Sequence, residues 1–228
     1  MPFPRDRVRI PRGVWAACTA CTLAVAWAAA IAEQPPPAPG NVDLVGSRAY
    51  VFVGKTGLGH DHAVIGQLAA GDVRLGAATQ AGRLVFDMRS FRADMPEARK
   101  VLGLPGETDA KTRRQVDENM LGPAVLDVAR HPTATLDIQS ALPAARRSEG
   151  GKPAYDLVGS FTLHGTTRPV TVRAEADVAG TVVRLWGGFT IRQTDFGMKP
   201  FAKLGGVVGV ADELRIMGDI RVANGAAP

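Results

Sequence analysis

The chain contains almost no cysteine and few aromatic residues. Its only cysteines among 228 residues are Cys18 and Cys21, so the chain beyond them can form no disulfide, thiolate metal site or cysteine nucleophile. Aromatic residues make up 6% of the sequence, too few for the aromatic girdles of an outer-membrane barrel. Long blocks of like charge and low-complexity tracts are also missing, and 46% of the residues are hydrophobic. These features exclude a disordered chain and predict a globular protein.

Most of the excess positive charge lies at the N-terminus. The formal net charge is +5, and Arg5, Arg7, Arg9 and Arg12 against Asp6 account for +3 of it. The remaining +2 is too small to indicate a nucleic-acid partner.

Sequence motifs of common enzymes are missing as well. The chain has no Gly-x-Ser-x-Gly elbow and no HExxH, and its carboxylates alternate with apolar residues as solvated strand residues do. We therefore predict a protein that is not an enzyme.

The N-terminal segment has the pattern of a secretory signal peptide. Four arginines precede an uncharged run from Gly13 to Ala32, and Ala30 and Ala32 provide the small residues that a signal peptidase requires. We predict a signal peptide over residues 1–32, a Pro-rich leader over 33–41 and one domain over 42–223, located in the periplasm or secreted. The alternative is an uncleaved anchor in the inner membrane, because about 20 apolar residues can span a bilayer.

Beyond Gly40 the dominant hydrophobic period is two. Alternation is clearest near residues 134–139, 155–163, 170–178, 184–192 and 214–222, and weaker near 49–55, 63–75 and 83–91. This pattern is typical of strands with one buried face. Because no βαβ alternation occurs, we predict an all-β fold with one antiparallel sheet of about eight strands. Closure of this sheet into a barrel would remove its unpaired edges.

Two short helices are predicted as an insertion in this barrel. Asp94 has the position of an N-cap acid, followed by Pro96 and by Glu97 three residues later. A second helix is predicted from about Thr108 to Leu121, with an apolar face and a Gly-Pro stop. The insertion would form a lid on the barrel.

The apolar positions of the strands predict the barrel interior. Because small residues are abundant and large rings are few, we expect a ligand cavity; the alternative is a barrel plugged by its own side chains. The predicted wall consists of Val51, Val53, Leu84, Phe86, Leu136, Ile138, Leu157, Phe161, Leu163, Val172, Phe189, Ile191, Leu214 and Ile216.

One histidine cluster has metal-ligand chemistry. His60 and His62 are two residues apart, which on a strand places both imidazoles on one side. A third ligand could be His164 or His131, but two ligands alone do not make a site. We therefore predict no bound metal and keep a metal-binding or redox accessory role as the alternative function.

Three segments resemble the YceI family of exported lipid-binding proteins. The most specific are LVGSFTLHGTTRPV at 157–170 and FTIRQTDFGM at 189–198, supported by MLGP at 120–123 and VLDVARHP at 125–132. The resemblance covers about Val42 to Val222. It implies a lipocalin-like barrel that binds a polyisoprenoid, such as an isoprenoid quinone or polyprenol, or another long-chain amphiphile, with no other cofactor.

Segments 55–62 and 111–114 depart from the simplest family pattern, which leaves the identity of the ligand open. The basic run KTRR at 111–114 is either a solvated helix face or a point of transient contact with an anionic membrane surface. The expected partner is an isoprenoid or other long-chain lipid, and a homodimer is left open.

Overall fold

The alternating segments form the strands of a closed barrel in the computed structural model, which describes residues 40–224. Eight long strands pair with their neighbours in chain order, and the last of them also pairs with the first. Every pairing is antiparallel. The predicted eight-stranded antiparallel barrel is therefore confirmed.

The long strands range from 10 to 16 residues. Their bounds are Arg48–Gly57 (β1), His62–Val73 (β2), Gly82–Ala93 (β3), Thr133–Pro143 (β4), Ala154–Leu163 (β5), Thr166–Ala179 (β6), Val182–Arg192 (β7) and Val208–Ala223 (β9). A two-residue strand, Ala202–Lys203 (β8), pairs with the start of β9.

A helical insertion lies between β3 and β4, as predicted. Helix α1 spans Pro96–Val101 and helix α2 spans Ala110–Leu121. Helix α2 begins where the Asp109 carboxylate accepts hydrogen bonds from the backbone N–H groups of Lys111 and Thr112, at 2.9 and 3.0 Å. Neither helix in residues 40–224 is long and apolar enough to cross a membrane.

The prediction that Asp94 caps α1 is wrong. The N-cap position belongs to Met95, which makes no side-chain cap. Asp94 adopts a left-handed backbone conformation with φ of 53°, and its carboxylate accepts the backbone N–H of Ala63 on β2 instead. The local pattern is that of a cap, but the carboxylate bonds to β2 and to the Arg99 side chain instead of to the first backbone N–H groups of α1.

A bulge in β3 changes which residues face the barrel interior. Strand β2 pairs Ile65 with Arg92 but Gln67 with Asp87, so β3 contains extra residues there. The Ser90 hydroxyl accepts the N–H of Gln67 at 2.8 Å and donates to the carbonyl of Asp87. The bulge lets both Met88 and Phe91 point inward, although their positions differ in parity.

Close packing against this bulge depends on a glycine. A Cβ atom at Gly66 would overlap the ring of Phe91, so a larger residue at this position would displace the ring. Gly66 therefore leaves the space that the Phe91 ring occupies.

The predicted signal peptide, residues 1–32, and residues 33–39 of the predicted leader lie outside the described residues. The last leader residues already contact the barrel, since Gly40 donates its N–H to the carbonyl of Ala223 at 3.0 Å. Val42 forms a β-bridge with Val222.

Candidate functional site

The barrel interior contains two neighbouring apolar cavities of about 170 and 50 Å³. Four residues border both of them: Ala49, Phe86, Phe189 and Ile216. The larger cavity extends beyond the strands, because Val116 and Met120 of α2 form part of its wall.

Most of the predicted wall residues border these cavities. The larger cavity is lined by Val51, Val53, Phe86, Phe161, Leu163, Phe189, Leu214 and Ile216. The smaller one adds Leu84, Leu136, Leu157 and Val172. Ile138 and Ile191 are buried, as their parity predicts, but they border neither cavity.

Several wall residues were not predicted from the strand pattern. Met88 continues the alternation of Leu84 and Phe86, Phe91 faces inward because of the β3 bulge, and Met198 and Phe201 come from the irregular segment after β7. Val125 and Leu126 follow α2. Val116 and Met120 of α2 did give a signal, since their i, i+4 spacing predicted the apolar face of the helix in the lid.

Aromatic contacts shape the wall beside the larger cavity. The ring of Phe161 packs edge-on against Phe189, with centroids 5.2 Å apart, and against Phe196 at 5.8 Å. Phe196 is only 2% exposed. Such edge-to-face contacts fix ring positions and therefore the width of the interior.

Three polar side chains border the larger cavity: His62, Asn119 and Gln193. The Gln193 amide donates to the carbonyl of Ala211 at 2.7 Å. The Nδ1 atom of His62 lies 2.7 Å from an oxygen of the Asp94 carboxylate. Polar groups of this kind orient a ligand rather than supply most of its binding free energy.

Asp94 joins both predicted histidines in one cluster. Its Oδ2 atom lies 2.7 Å from Nδ1 of His62 and 3.3 Å from Nε2 of His60. Its Oδ1 atom accepts from Nη1 of Arg99 at 2.9 Å and from the Ala63 N–H at 3.1 Å. Burial alone would raise the pKa of Asp94, but the hydrogen bonds from His62 and Ala63 outweigh it and hold this pKa well below its ordinary value.

The structure places His164 elsewhere. Its ring lies 4.4 Å from that of His131, and its Nδ1 is 3.3 Å from the carbonyl of Phe196. The residue that joins His60 and His62 is thus Asp94, which sequence spacing had assigned to a helix cap.

A second apolar cluster lies between α1 and the strands. It contains Tyr50, Ala63 and Ala98, and Trp186 packs against it with its ring 6.2 Å from that of Tyr50. Burial and a hydrogen bond to Glu97 raise the pKa of Tyr50 to about 12. This cluster fixes α1 and therefore the segment that begins with Asp94.

A family model of the YceI-like domain matches residues 42–222, almost the whole described region. The chain belongs to the YceI-like family. The predicted resemblance is therefore confirmed, and the barrel of this YceI-like protein is the matched region.

Two curated relatives of this YceI-like protein are the UPF0312 proteins of Pseudomonas savastanoi pv. phaseolicola and Azotobacter vinelandii. They are 32% and 29% identical to it over 119 residues, which is 48% of this chain and 58% of each relative. The chain therefore spans less than two thirds of the length of these relatives.

Two solved structures are similar to this chain at low sequence identity. BcnA of Burkholderia cenocepacia matches with a TM-score of 0.53 and 19% identity, over 80% of this chain and 99% of BcnA. This likeness shows a common fold. A polyisoprenoid binding domain from Saccharophagus degradans, implicated in plant cell wall breakdown, matches with a TM-score of 0.49 and 12% identity, over 80% of this chain and 97% of that domain.

Proposed function

We propose that this YceI-like protein binds the apolar tail of an isoprenoid lipid, or of a similar long-chain amphiphile, inside its barrel. The observation that carries this proposal is the larger cavity, of whose 23 lining residues only three are polar. No reaction is needed for this function, and the protein acts as a carrier or buffer of the lipid.

The binding free energy would come from removal of the tail from water. Each buried CH₂ group contributes about 0.8 kcal/mol, so a few isoprene units give substantial affinity without special polar contacts. The cavity is about 170 Å³, close to an engineered cavity of about 150 Å³ that admits benzene. It therefore accommodates the end of a tail, and a longer tail requires part of the wall to move.

Helix α2 is the part of the wall that moves in this proposal. It has no fully buried residue, yet Val116, Asn119 and Met120 border the larger cavity. Segments that bury few groups open at low free-energy cost. One contact to be broken is the hydrogen bond from the Ala93 N–H to the Asp117 carboxylate, at 2.7 Å.

The proposed setting is the periplasm or the cell exterior, after removal of residues 1–32. An N-terminal anchor in the inner membrane is the alternative, and both place the barrel where exported lipids can reach it. The basic run from Lys111 to Arg114 lies at the N-terminal end of α2. Contact with an anionic membrane surface would therefore occur at the helix that moves.

Ligand stabilisation tests this proposal. Delipidated protein is mixed with a long-tailed polyprenol or quinone, and its thermal unfolding is compared with that of protein mixed with the same head group on a short tail. At a free ligand concentration of about 100 times Kd, the long-tailed ligand is expected to stabilise the barrel by about 2.7 kcal/mol. If both compounds stabilise the protein equally, or if neither stabilises it, the protein does not bind the tail.

A further inference from the structure

In the cluster of His60, His62 and Asp94, only His62 borders the cavity proposed for the tail. From the sequence only two ligands were assured, and no bound metal was predicted for that reason. The structure supplies a third, because Asp94 lies against both histidines although it is more than 30 residues away in sequence.

The three ligand atoms converge closely enough for one ion. One ligand atom from each of His60, His62 and Asp94 lies within 4.8 Å of the other two. The imidazole nitrogens next to the Asp94 carboxylate are Nε2 of His60 and Nδ1 of His62. Ligand atoms on a tetrahedral Zn²⁺ with bonds of about 2.0–2.1 Å lie roughly 3.4 Å apart. Around an ion, the 2.7 Å separation between His62 Nδ1 and Asp94 Oδ2 would have to lengthen by about 0.7 Å, and the exposed His60 ring would adjust with it.

The carboxylate of Asp94 is held in a suitable orientation. Its Oδ1 is occupied by the Ala63 N–H and by Nη1 of Arg99, which leaves Oδ2 directed at the two imidazoles. Outer hydrogen bonds of this kind orient ligands in metal sites. Arg99 places a positive charge on the far side of the carboxylate, which weakens the attraction for a cation without occupying the ligand atom.

The cluster is also accessible. The side chain of His60 is 45% exposed, whereas that of His62 is 16% exposed and borders the larger cavity. An ion can therefore enter from solvent past His60 and occupy a position between solvent and the cavity wall.

We propose that His60, His62 and Asp94 together bind one divalent transition-metal ion, such as Zn²⁺. Two imidazoles and one carboxylate suit borderline metals rather than Mg²⁺ or Ca²⁺, which prefer oxygen ligands alone. Three protein ligands leave a coordination position open for water or for a ligand oxygen. This inference does not depend on lipid binding, because the cluster is complete without a tail in the cavity.

Zinc titration of the metal-stripped protein tests the inference. The chain carries Cys18→Ser and Cys21→Ser, so that no thiol competes for zinc, and binding is followed by calorimetry and elemental analysis. We expect one Zn²⁺ per chain. His60→Ala changes a partly exposed side chain and is expected to weaken zinc binding by at least about 10–100-fold. That is the loss seen when a group that only hydrogen-bonds to a metal ligand is removed.

The chain offers a matched control in its other histidine pair. His131 and His164 face each other with ring centroids 4.4 Å apart, but the described residues place no carboxylate ligand with them. The double change His131→Ala and His164→Ala is expected to leave zinc binding unchanged. Absence of saturable binding, or binding that survives His60→Ala, would overturn the proposal and leave the cluster as a contact that fixes α1.

Discussion

Replacing Asp94 with alanine is expected to destabilise the metal-free protein by about 3–5 kcal/mol. Asp94 is 1% exposed, and its carboxylate accepts hydrogen bonds from His60, His62, the Ala63 N–H and Arg99. Arg99 is itself only 7% exposed. Removing one partner of a buried ion pair leaves the other charge without compensation, which is the costly case.

An exposed ion pair provides the control. Asp137 on β4 pairs with Arg83, and their side chains are 39% and 62% exposed. Asp137→Ala is expected to cost at most about 1 kcal/mol, since exposed pairs contribute little. Urea unfolding in the presence of a chelator measures both variants, and equal losses of stability would show that the Asp94 cluster does not hold the insertion against the barrel.

Val51→Trp is expected to weaken tail binding about tenfold or more. Val51 lies on β1 opposite Ile216, and both residues border the larger cavity. An indole ring placed there occupies space that the tail needs, and overpacking of this kind costs about 1–3 kcal/mol. A cost of about 1.4 kcal/mol corresponds to a tenfold change in Kd.

The same substitution outside the barrel separates loss of space from loss of folding. Val158 on β5 is 44% exposed, so Val158→Trp adds the same ring without entering the cavity. Titration with a long-tailed polyprenol is expected to give an unchanged Kd for Val158→Trp. If Val51→Trp binds as tightly as Val158→Trp, the tail does not occupy the larger cavity.

The strands of the barrel could be predicted from the sequence because the pattern that identifies each strand lies within a few consecutive residues. Alternating apolar and polar residues identify a strand, and the side on which each side chain falls follows from its parity. The second helix, predicted from about Thr108 to Leu121 and observed over Ala110–Leu121, was found for a similar reason, since its apolar spacing and Gly-Pro stop lie within one short segment.

The shape of the cavity could not be predicted in the same way. Parity identifies Ile138 and Ile191 as inward, but the size of the opposing side chains decides whether an inward residue borders empty space. Phe91 required the β3 bulge, and Phe201 lies between strands without any period. The link from His60 and His62 to Asp94 is a contact between distant segments, and the residues around Asp94 gave the misleading pattern of a helix cap.

The most direct test of the account is the lipid content of the protein itself. The protein is expressed with its export segment, purified without detergent and extracted with organic solvent, and the extract is analysed by mass spectrometry beside extracts of Val51→Trp and Val158→Trp. The account predicts an isoprenoid or other long-chain lipid in the wild type and in Val158→Trp, and much less in Val51→Trp. A wild-type extract with no more long-chain lipid than that of Val51→Trp would contradict it.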